Sequence, residues 1–273
     1  MKQHIILFTS LLLLVACSSN KPNTLSEKGL KGKVKTVILY SFEAEKTSDN
    51  VQKGDIISHW DANRKLDIDP ISVSEYDNNG NILSKIYYDE YQELSSRQTF
   101  TYLNKNLIGQ YTYDDRDRLF NSWELILEEG QPVGVKEQGN TYSECVFDGF
   151  NLLSYKFNHR RIVEQTYENN LLCQSITKNL EGKTTRSITR KWNEAGQLLY
   201  EEDAVEYDSS EIINNEYDKN GHIIKHTTQY GENTRKNYTF EYLTFDDKGN
   251  WTARIIYSND NPYIIQERTI EYY

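Results

Sequence analysis

Residues 76–83 read YDNNGNIL, and this stretch decides the fold of the 273-residue chain. It contains an aromatic residue, an Asp, two turn-forming residues, a Gly, one further residue and an apolar pair. Asp at the first turn position and Gly at the fourth are the preferences of a type I turn that ends in a left-handed residue. Such a turn joins two antiparallel strands into a hairpin with a bulge. The stretch therefore predicts a β-hairpin with Gly80 in its turn.

The same pattern recurs along the chain. Three further clear copies occur at residues 192–199 (WNEAGQLL), 217–224 (YDKNGHII) and 245–251 (FDDKGNW). They place turn glycines at Gly196, Gly221 and Gly249. Degenerate or shortened copies occupy residues 60–66, 88–94, 113–119, 147–153 and 167–172. Recurrence at a short period indicates one supersecondary unit repeated many times.

The segments between these turns have the composition of strands. Residues 82–88, 186–192 and 235–242 mix β-branched and aromatic residues with polar ones near a period of two. We therefore predict an all-β fold over residues 30–273, an antiparallel meander of hairpin repeats with roughly 16–20 short strands. Because strand twist accumulates, this sheet should coil into a curved, barrel-like or spiral sheet, or split into two packed sheets.

The N-terminus has the pattern of a secretory signal. The apolar run from residue 5 to residue 15 is shorter than the ~20 residues that a transmembrane helix needs. It fits the ~7–15-residue apolar region of a signal peptide. The four residues that follow Leu13 are LVAC, which resemble the lipobox of bacterial lipoproteins. The resemblance implies removal of residues 1–16, acylation of Cys17, and membrane anchoring through buried acyl chains.

The polar residues after Cys17 predict a lipidated flexible tether over residues 17–29. No Asp follows Cys17, which by resemblance to Gram-negative lipoproteins favours the outer membrane. No acidic cluster of the surface-export kind follows either. We therefore expect the domain to face the periplasm, with exposure at the cell surface as the alternative.

The hairpin repeat resembles the tyrosine-aspartate (YD) repeats of Rhs-type proteins. Together with the opening LKGKVKTV at residues 30–37 and the lipobox, the chain is similar to small Rhs-repeat lipoproteins of Bacteroidetes. The resemblance covers residues 30–273 and implies a β-hairpin repeat fold. It implies little about function, because fold and activity are separable. Large Rhs proteins form a shell around a toxin, and this chain is too short for such a shell.

Composition restricts the partners. The formal net charge is −10, so the domain repels phosphate backbones, and we expect no nucleic-acid partner. The 21 Tyr, 9 Phe and 4 Trp residues supply the burial that a hydrophilic chain needs. Cys145 and Cys173 lie in apolar strand-like segments, which favours two buried thiols, and a disulfide between them is the alternative in an oxidising compartment.

No catalytic, metal or cofactor site stands out in the sequence. It lacks the Gly-x-Ser-x-Gly elbow, the His-Glu-x-x-His motif and the P-loop. His222 and His226 are four residues apart, which on a strand separates them by about 13 Å and disfavours a zinc site. The acidic residues at 114–117 and 246–247 are explained by the Asp preference of turns, and they lack the spacing of a Ca²⁺ loop.

We therefore expect a cell-envelope lipoprotein whose non-catalytic β-repeat domain serves in binding or scaffolding, with a glycan or an envelope protein as ligand. Two alternatives remain open. One is a glycan-processing enzyme with carboxylates from separate hairpins, because such pairs come from distant segments. The other is an immunity or assembly partner of another envelope protein.

Overall fold

The computed structural model describes residues 23–48, 50–58, 66, 68–157, 160–206, 210–232 and 234–273. The predicted signal peptide, Cys17 and most of the degenerate repeat at residues 60–66 lie outside the described residues. Across the described ranges, no helix has the length and apolar character to cross a bilayer.

The described residues form one short helix and twenty strands, and the strands belong to a single sheet. They are α1 (Thr24–Glu27), β1 (Val34–Lys46), β2 (Val51–Ile56), β3 (Ile71–Tyr76), β4 (Ile82–Tyr88), β5 (Leu94–Leu103), β6 (Asn106–Asp114), β7 (Leu119–Glu128), β8 (Gln131–Glu137), β9 (Asn140–Thr141), β10 (Ser143–Asp148), β11 (Asn151–Phe157), β12 (Arg161–Glu168), β13 (Leu171–Asn179), β14 (Thr184–Trp192), β15 (Leu198–Val205), β16 (Glu211–Tyr217), β17 (Ile223–Tyr230), β18 (Thr234–Phe245), β19 (Trp251–Ser258) and β20 (Asn261–Tyr272).

The predicted antiparallel meander is confirmed. Strand β1 pairs with β20 along one edge, and with β3 and β2 along the other. Consecutive strands pair from β3 to β9 and again from β10 to β20. Between β9 and β10, the Tyr142 N–H donates to the Val135 carbonyl oxygen of β8 at 2.9 Å. The sheet is therefore nearly closed and barrel-shaped.

The repeat turns have the hydrogen bonds that the sequence pattern predicts. The Asp77 carboxylate oxygen Oδ1 accepts the N–H groups of Asn79 at 2.8 Å and Asn81 at 2.9 Å. The Gly80 N–H donates to the Asp77 carbonyl oxygen at 3.0 Å, and Gly80 has a φ of 81°. In the degenerate repeat after β4, Gln92 takes the corresponding position with a φ of 66°. That position is left-handed whether or not it holds Gly.

The four clear repeat copies share one end of the sheet. Strands β3, β14, β16 and β18 all run antiparallel to β1, because neighbours alternate in direction around the sheet. Their turns therefore lie at the end where β1 begins, which we call the turn end. It carries the turn glycines Gly80, Gly196, Gly221 and Gly249, each with a positive φ.

Residues 23–33, which we call the N-terminal segment, pack across the turn end. The Leu25 N–H donates to the Gly80 carbonyl oxygen at 3.2 Å, and Leu25 is buried. The Lys31 N–H donates to Asn250 Oδ1 at 2.8 Å. A flexible tether over residues 17–29 is therefore wrong for residues 23–29. Leu25 and Leu30 hold this segment in place because both are buried in an apolar cluster. The polar residues that precede Leu25 gave no indication of this burial.

The main core lies inside the sheet. Residues Ile57, Leu66 and Ile68 come from the connection between β2 and β3, and they pack against inward side chains of β18, β19 and β20. Those inward side chains are Tyr238, Phe240, Ile256 and Ile264. A second cluster at the turn end joins the N-terminal segment to β1 and β3. The interior is therefore filled from both ends of the sheet.

Cys145 and Cys173 are free thiols. They lie on β10 and β13, and β11 and β12 separate these strands. Three strand spacings amount to about 14 Å, which exceeds the ~7 Å limit for Cα atoms of a disulfide. The structure therefore does not contain the disulfide that was the alternative for this pair.

Candidate functional site

A cavity of about 390 Å³ lies at the turn end, between the N-terminal segment and the filled interior. Lys28 and Leu30 line it from the N-terminal segment, and Leu66 lines it from the connection between β2 and β3. The rest of the lining comes from strands and turns on both sides of β1. It includes Ser72, Ser74, Lys85, Trp192, Gln197, Asn215, Tyr217, His222, Tyr242, Trp251, Arg254 and Arg268.

Three aromatic lining residues link neighbouring repeats. Trp192 Nε1 donates to the Leu172 carbonyl oxygen at 3.0 Å, and Tyr217 OH donates to the Leu198 carbonyl oxygen at 3.1 Å. Tyr242 OH donates to the Ile223 carbonyl oxygen at 2.6 Å. Each bond reaches back 19 or 20 residues, to a residue of the apolar pair in the preceding repeat. These bonds satisfy the polar ends of the rings and hold them in place around the cavity.

Two arginines share one indole ring in the cavity. The guanidinium carbon of Arg254 lies 4.3 Å from the Trp251 ring centroid, and that of Arg268 lies 3.8 Å from it. Arg254 Nε also donates to Gln266 Oε1 at 2.8 Å, and Gln266 Nε2 donates to Ser41 Oγ at 3.0 Å. Cation–π contacts of this kind favour the charged guanidinium.

Arg268 carries an incompletely neutralised charge. Its Nε donates to the Trp251 carbonyl oxygen. The described residues place no carboxylate within ion-pair distance of it. Burial and, to a smaller extent, the like charge of Arg254 lower the pKa of Arg268 to about 9. The side chain is nevertheless protonated at neutral pH, so it presents a positive charge to the cavity.

The residue after each turn glycine is a buried polar residue. Asn81, Gln197, His222 and Asn250 are all less than one-tenth exposed. In three of the repeats this side chain bonds back to the first turn residue, as in Asn81 Nδ2 to Asp77 Oδ2 at 2.9 Å. This position therefore closes the turn from inside the sheet.

His222 differs from the other three. Its Nδ1 lies 3.3 Å from Asp218 Oδ2, while its Nε2 is buried and has no hydrogen-bond partner within the protein. Burial raises the pKa of Asp218, but the N–H groups of His222 and Asn220 bond its carboxylate and hold this pKa below its ordinary value. Asp218 is therefore a carboxylate at neutral pH and accepts a hydrogen bond from the Nδ1–H of His222.

The residues that the sequence singled out are only partly brought together. Gly196 and Gly221 line the cavity, whereas the structure places Cys145 and Cys173 on strands that do not. His226 is held by Asn215 Oδ1 at 2.7 Å and Thr228 Oγ1 at 2.9 Å, so its role is structural. The described part of the chain contains no group of three side chains able to hold a metal ion.

The two arginines were not predicted from the sequence. The signal that could have identified Arg254 is that it is the only charged residue of strand β19. Arg268 has no comparable local signal, because β20 contains two further charged residues, Glu267 and Glu271.

Comparisons with known proteins find no family for this chain. No protein-family profile matches it, and no curated protein is significantly similar. Among solved structures, a porin-like protein from Bacteroides uniformis matches 87% of this chain and 96% of its own, at 12% identity and a TM-score of 0.36. A chain of the TcdB2-TccC3-Cdc42 crystal structure matches 85% of this chain at 15% identity and a TM-score of 0.34, over only 12% of its own length. Scores this low transfer no property of these proteins to this chain.

Proposed function

We propose that this chain is a lipid-anchored protein of the cell envelope that binds a small glycan in the turn-end cavity without changing it chemically. The observation that carries this proposal is the cavity itself. It is partly open to solvent, it is lined by aromatic rings in fixed positions, and its lining includes polar side chains such as Asn215 and His222. Pockets of this composition and size are typical of small-ligand sites.

The charges of the cavity support binding without catalysis. Among the described lining residues, Glu27 is the only carboxylate. Hydrolysis of a glycosidic bond uses a pair of carboxyl groups on either side of that bond. A cavity with one carboxylate therefore favours a binding protein over the glycan-processing alternative.

The position of the N-terminal segment supports the anchoring part of the proposal. Asn23 contacts the turn end, where its Nδ2 donates to the Asn79 carbonyl oxygen at 2.7 Å. Cys17 precedes Asn23 by six residues, which span at most about 20 Å. An acylated Cys17 would thus hold the cavity end close to the membrane. We propose the periplasmic face of the outer membrane, in a small Rhs-repeat lipoprotein of the Bacteroidetes kind.

Anchoring is tested by labelling cells with an alkyne analogue of palmitate. The wild-type chain should take up the label and sediment with membranes. The Cys17→Ser variant should do neither, and a labelled, membrane-bound Cys17→Ser protein would contradict the anchor.

Binding is tested with the full-length chain in mild detergent and a pool of soluble envelope glycans, separated into neutral and anionic fractions. Tryptophan fluorescence and thermal melting report binding, because Trp192 and Trp251 line the cavity. At least one fraction should give a saturable change. A Trp123→Phe variant, altered in a separate hollow on β6–β8, should bind as the wild type does. No saturable response to either fraction would refute the binding function.

A further inference from the structure

The turn-end cavity is basic although the protein is acidic. Its described charged lining comprises four basic residues, Lys28, Lys85, Arg254 and Arg268, against the single acidic residue Glu27. The whole chain has a formal net charge of −10. Charge of one sign within low-dielectric walls focuses the electrostatic potential and raises the local concentration of oppositely charged ligands.

Arg268 is the cation of this lining that most needs a partner. Lys85 already has one, because its Nζ lies 3.4 Å from Asp69 Oδ2. Arg268 instead has one hydrogen bond to a carbonyl oxygen and a like charge stacked on the same indole ring. Moving a charge out of water is expensive unless the charge is paired and hydrogen-bonded. An anion at Arg268 supplies both the opposite charge and the hydrogen-bond acceptors. A planar guanidinium binds carboxylate or phosphate oxygens in a bidentate manner.

His222 provides a second, independent indication of a ligand. It is 5% exposed, it lines the same cavity, and its Nε2 has no partner within the protein. Since the Nδ1–H donates to Asp218, Nε2 is the acceptor nitrogen of this tautomer. It therefore fits a donor such as a hydroxyl group. Asn81 and Asn250 fill the same repeat position, and neither leaves a buried side-chain atom without a partner.

We propose that the cavity binds an anionic sugar, meaning a hydroxylated ring that carries a carboxylate or a phosphate. The anionic group accepts hydrogen bonds from Arg268, and a ring hydroxyl donates to His222 Nε2. The fixed rings of Trp192 and Tyr217 supply apolar surface for the body of the sugar. This inference rests on the proposed binding function and names the ligand class of that same site.

The test measures binding of three matched probes to the full-length chain in detergent, by calorimetry and tryptophan fluorescence. The probes are glucuronate, glucose 6-phosphate and neutral glucose. We expect at least one of the two anions to bind at least tenfold more tightly than glucose. The two anions distinguish carboxylate from phosphate recognition. The affinity for the anion should fall as NaCl is raised, and this measurement requires no variant.

Two variants assign the contacts. Arg268→Gln should weaken anion binding at least tenfold and reduce anion affinity by a larger factor than glucose affinity, and Arg268→Lys should restore part of the anion affinity. His222→Asn keeps a donor for Asp218, as Asn81 does in its own repeat, and removes the Nε2 acceptor together with the ring that contacts Tyr242 and Phe245. It should weaken binding of the anion about threefold to tenfold. Arg186→Gln, which changes an arginine paired with Asp203 outside the cavity, is the matched control and should have no effect.

The inference is overturned if glucose binds as tightly as both anions, if salt has no effect, or if folded Arg268→Gln binds anions normally. It is also overturned if only the neutral envelope fraction binds, in which case the binding function survives without it. If neither envelope fraction and no probe binds, both the binding function and this inference fail.

Discussion

Gly29→Ala should lift the N-terminal segment off the turn end. Gly29 has a φ of 64°, and a Cβ there would lie 2.6 Å from the Gly221 carbonyl oxygen. That oxygen belongs to the backbone of a repeat turn, so a side-chain rotation does not relieve the contact. Gly149 is the matched control, because its φ is 56° and its Cβ would meet nothing within 4 Å. Both variants introduce the same backbone strain, and only Gly29→Ala adds a steric clash between its Cβ and the Gly221 carbonyl oxygen.

The magnitude follows from this comparison. A non-Gly residue in the left-handed backbone conformation destabilises the folded state by about 1–2 kcal/mol, and this penalty applies to both variants. Gly29→Ala also loses part of the burial of Leu25 and Leu30, each worth about 1.5–3 kcal/mol when complete. The backbone freedom that the released residues regain, about 1–2 kcal/mol per residue, offsets much of this loss. We therefore expect opening of the segment to become easier by about 1.4 kcal/mol more in Gly29→Ala than in Gly149→Ala, which is tenfold in population.

Limited proteolysis measures this difference. Lys28 and Lys31 are exposed residues of the segment, and trypsin cleaves after them at a rate that follows the population of the opened state. Cleavage at these two sites should be about tenfold faster in Gly29→Ala than in Gly149→Ala. Equal rates in the two variants would show that the contact with Gly221 does not hold the segment in place.

Three further outcomes follow from the repeats. Gln92→Gly should raise the free energy of unfolding by about 0.5–1 kcal/mol, because Gly relieves the left-handed strain, and Gln92→Ala should give no such gain in urea denaturation. The pKa of Asp77 is raised by burial but held below its ordinary value by hydrogen bonds from Asn81 and Asn79; the stability that Asp77 contributes is therefore present above about pH 4 and lost as the pH falls through its lower folded pKa. Asp77→Asn, with the residue type found at Asn193, should then show a shallower loss of stability in acid, and an unchanged acid titration would contradict this assignment. Trp192→Phe removes the donor to the Leu172 carbonyl oxygen and should lower the free energy of unfolding by about 1–3 kcal/mol beyond the loss of ring area, as measured by chemical denaturation.

The hairpins could be predicted from the sequence because their determinants are local. The Asp77 side chain and Gly80 lie within four residues, and their preferences do not depend on the rest of the fold. The contacts of the N-terminal segment could not be predicted in this way. The Lys31 N–H donates to Asn250, which lies 219 residues later in the sequence. Nothing in residues 23–33 specifies which repeat turn these residues contact.

The lining of the cavity could not be predicted for a second physical reason, which is the irregular register between β18 and β19. In strict alternation Trp251 and Arg254, three residues apart, face opposite sides of a strand. The register shifts between Tyr242 and Phe245 on the paired strand allow both side chains to line the cavity. A one-residue irregularity reverses the predicted side of every residue beyond it. A period-two pattern therefore predicted strands correctly and left the inward arginines unassigned.

The pairing of β1 with β20 determines how late in folding the sheet can close. Residue 34 has its partner at residue 272, so the sheet stays open until nearly all of the chain is available for pairing. Contacts of such long sequence separation form slowly, since a long loop must close before they form. Until then β1 presents bare N–H and C=O groups, which attract strands of other chains. The newly synthesised polypeptide thus passes through an interval in which aggregation competes with closure of the sheet, and a chain that lacks its final strand would remain in that state.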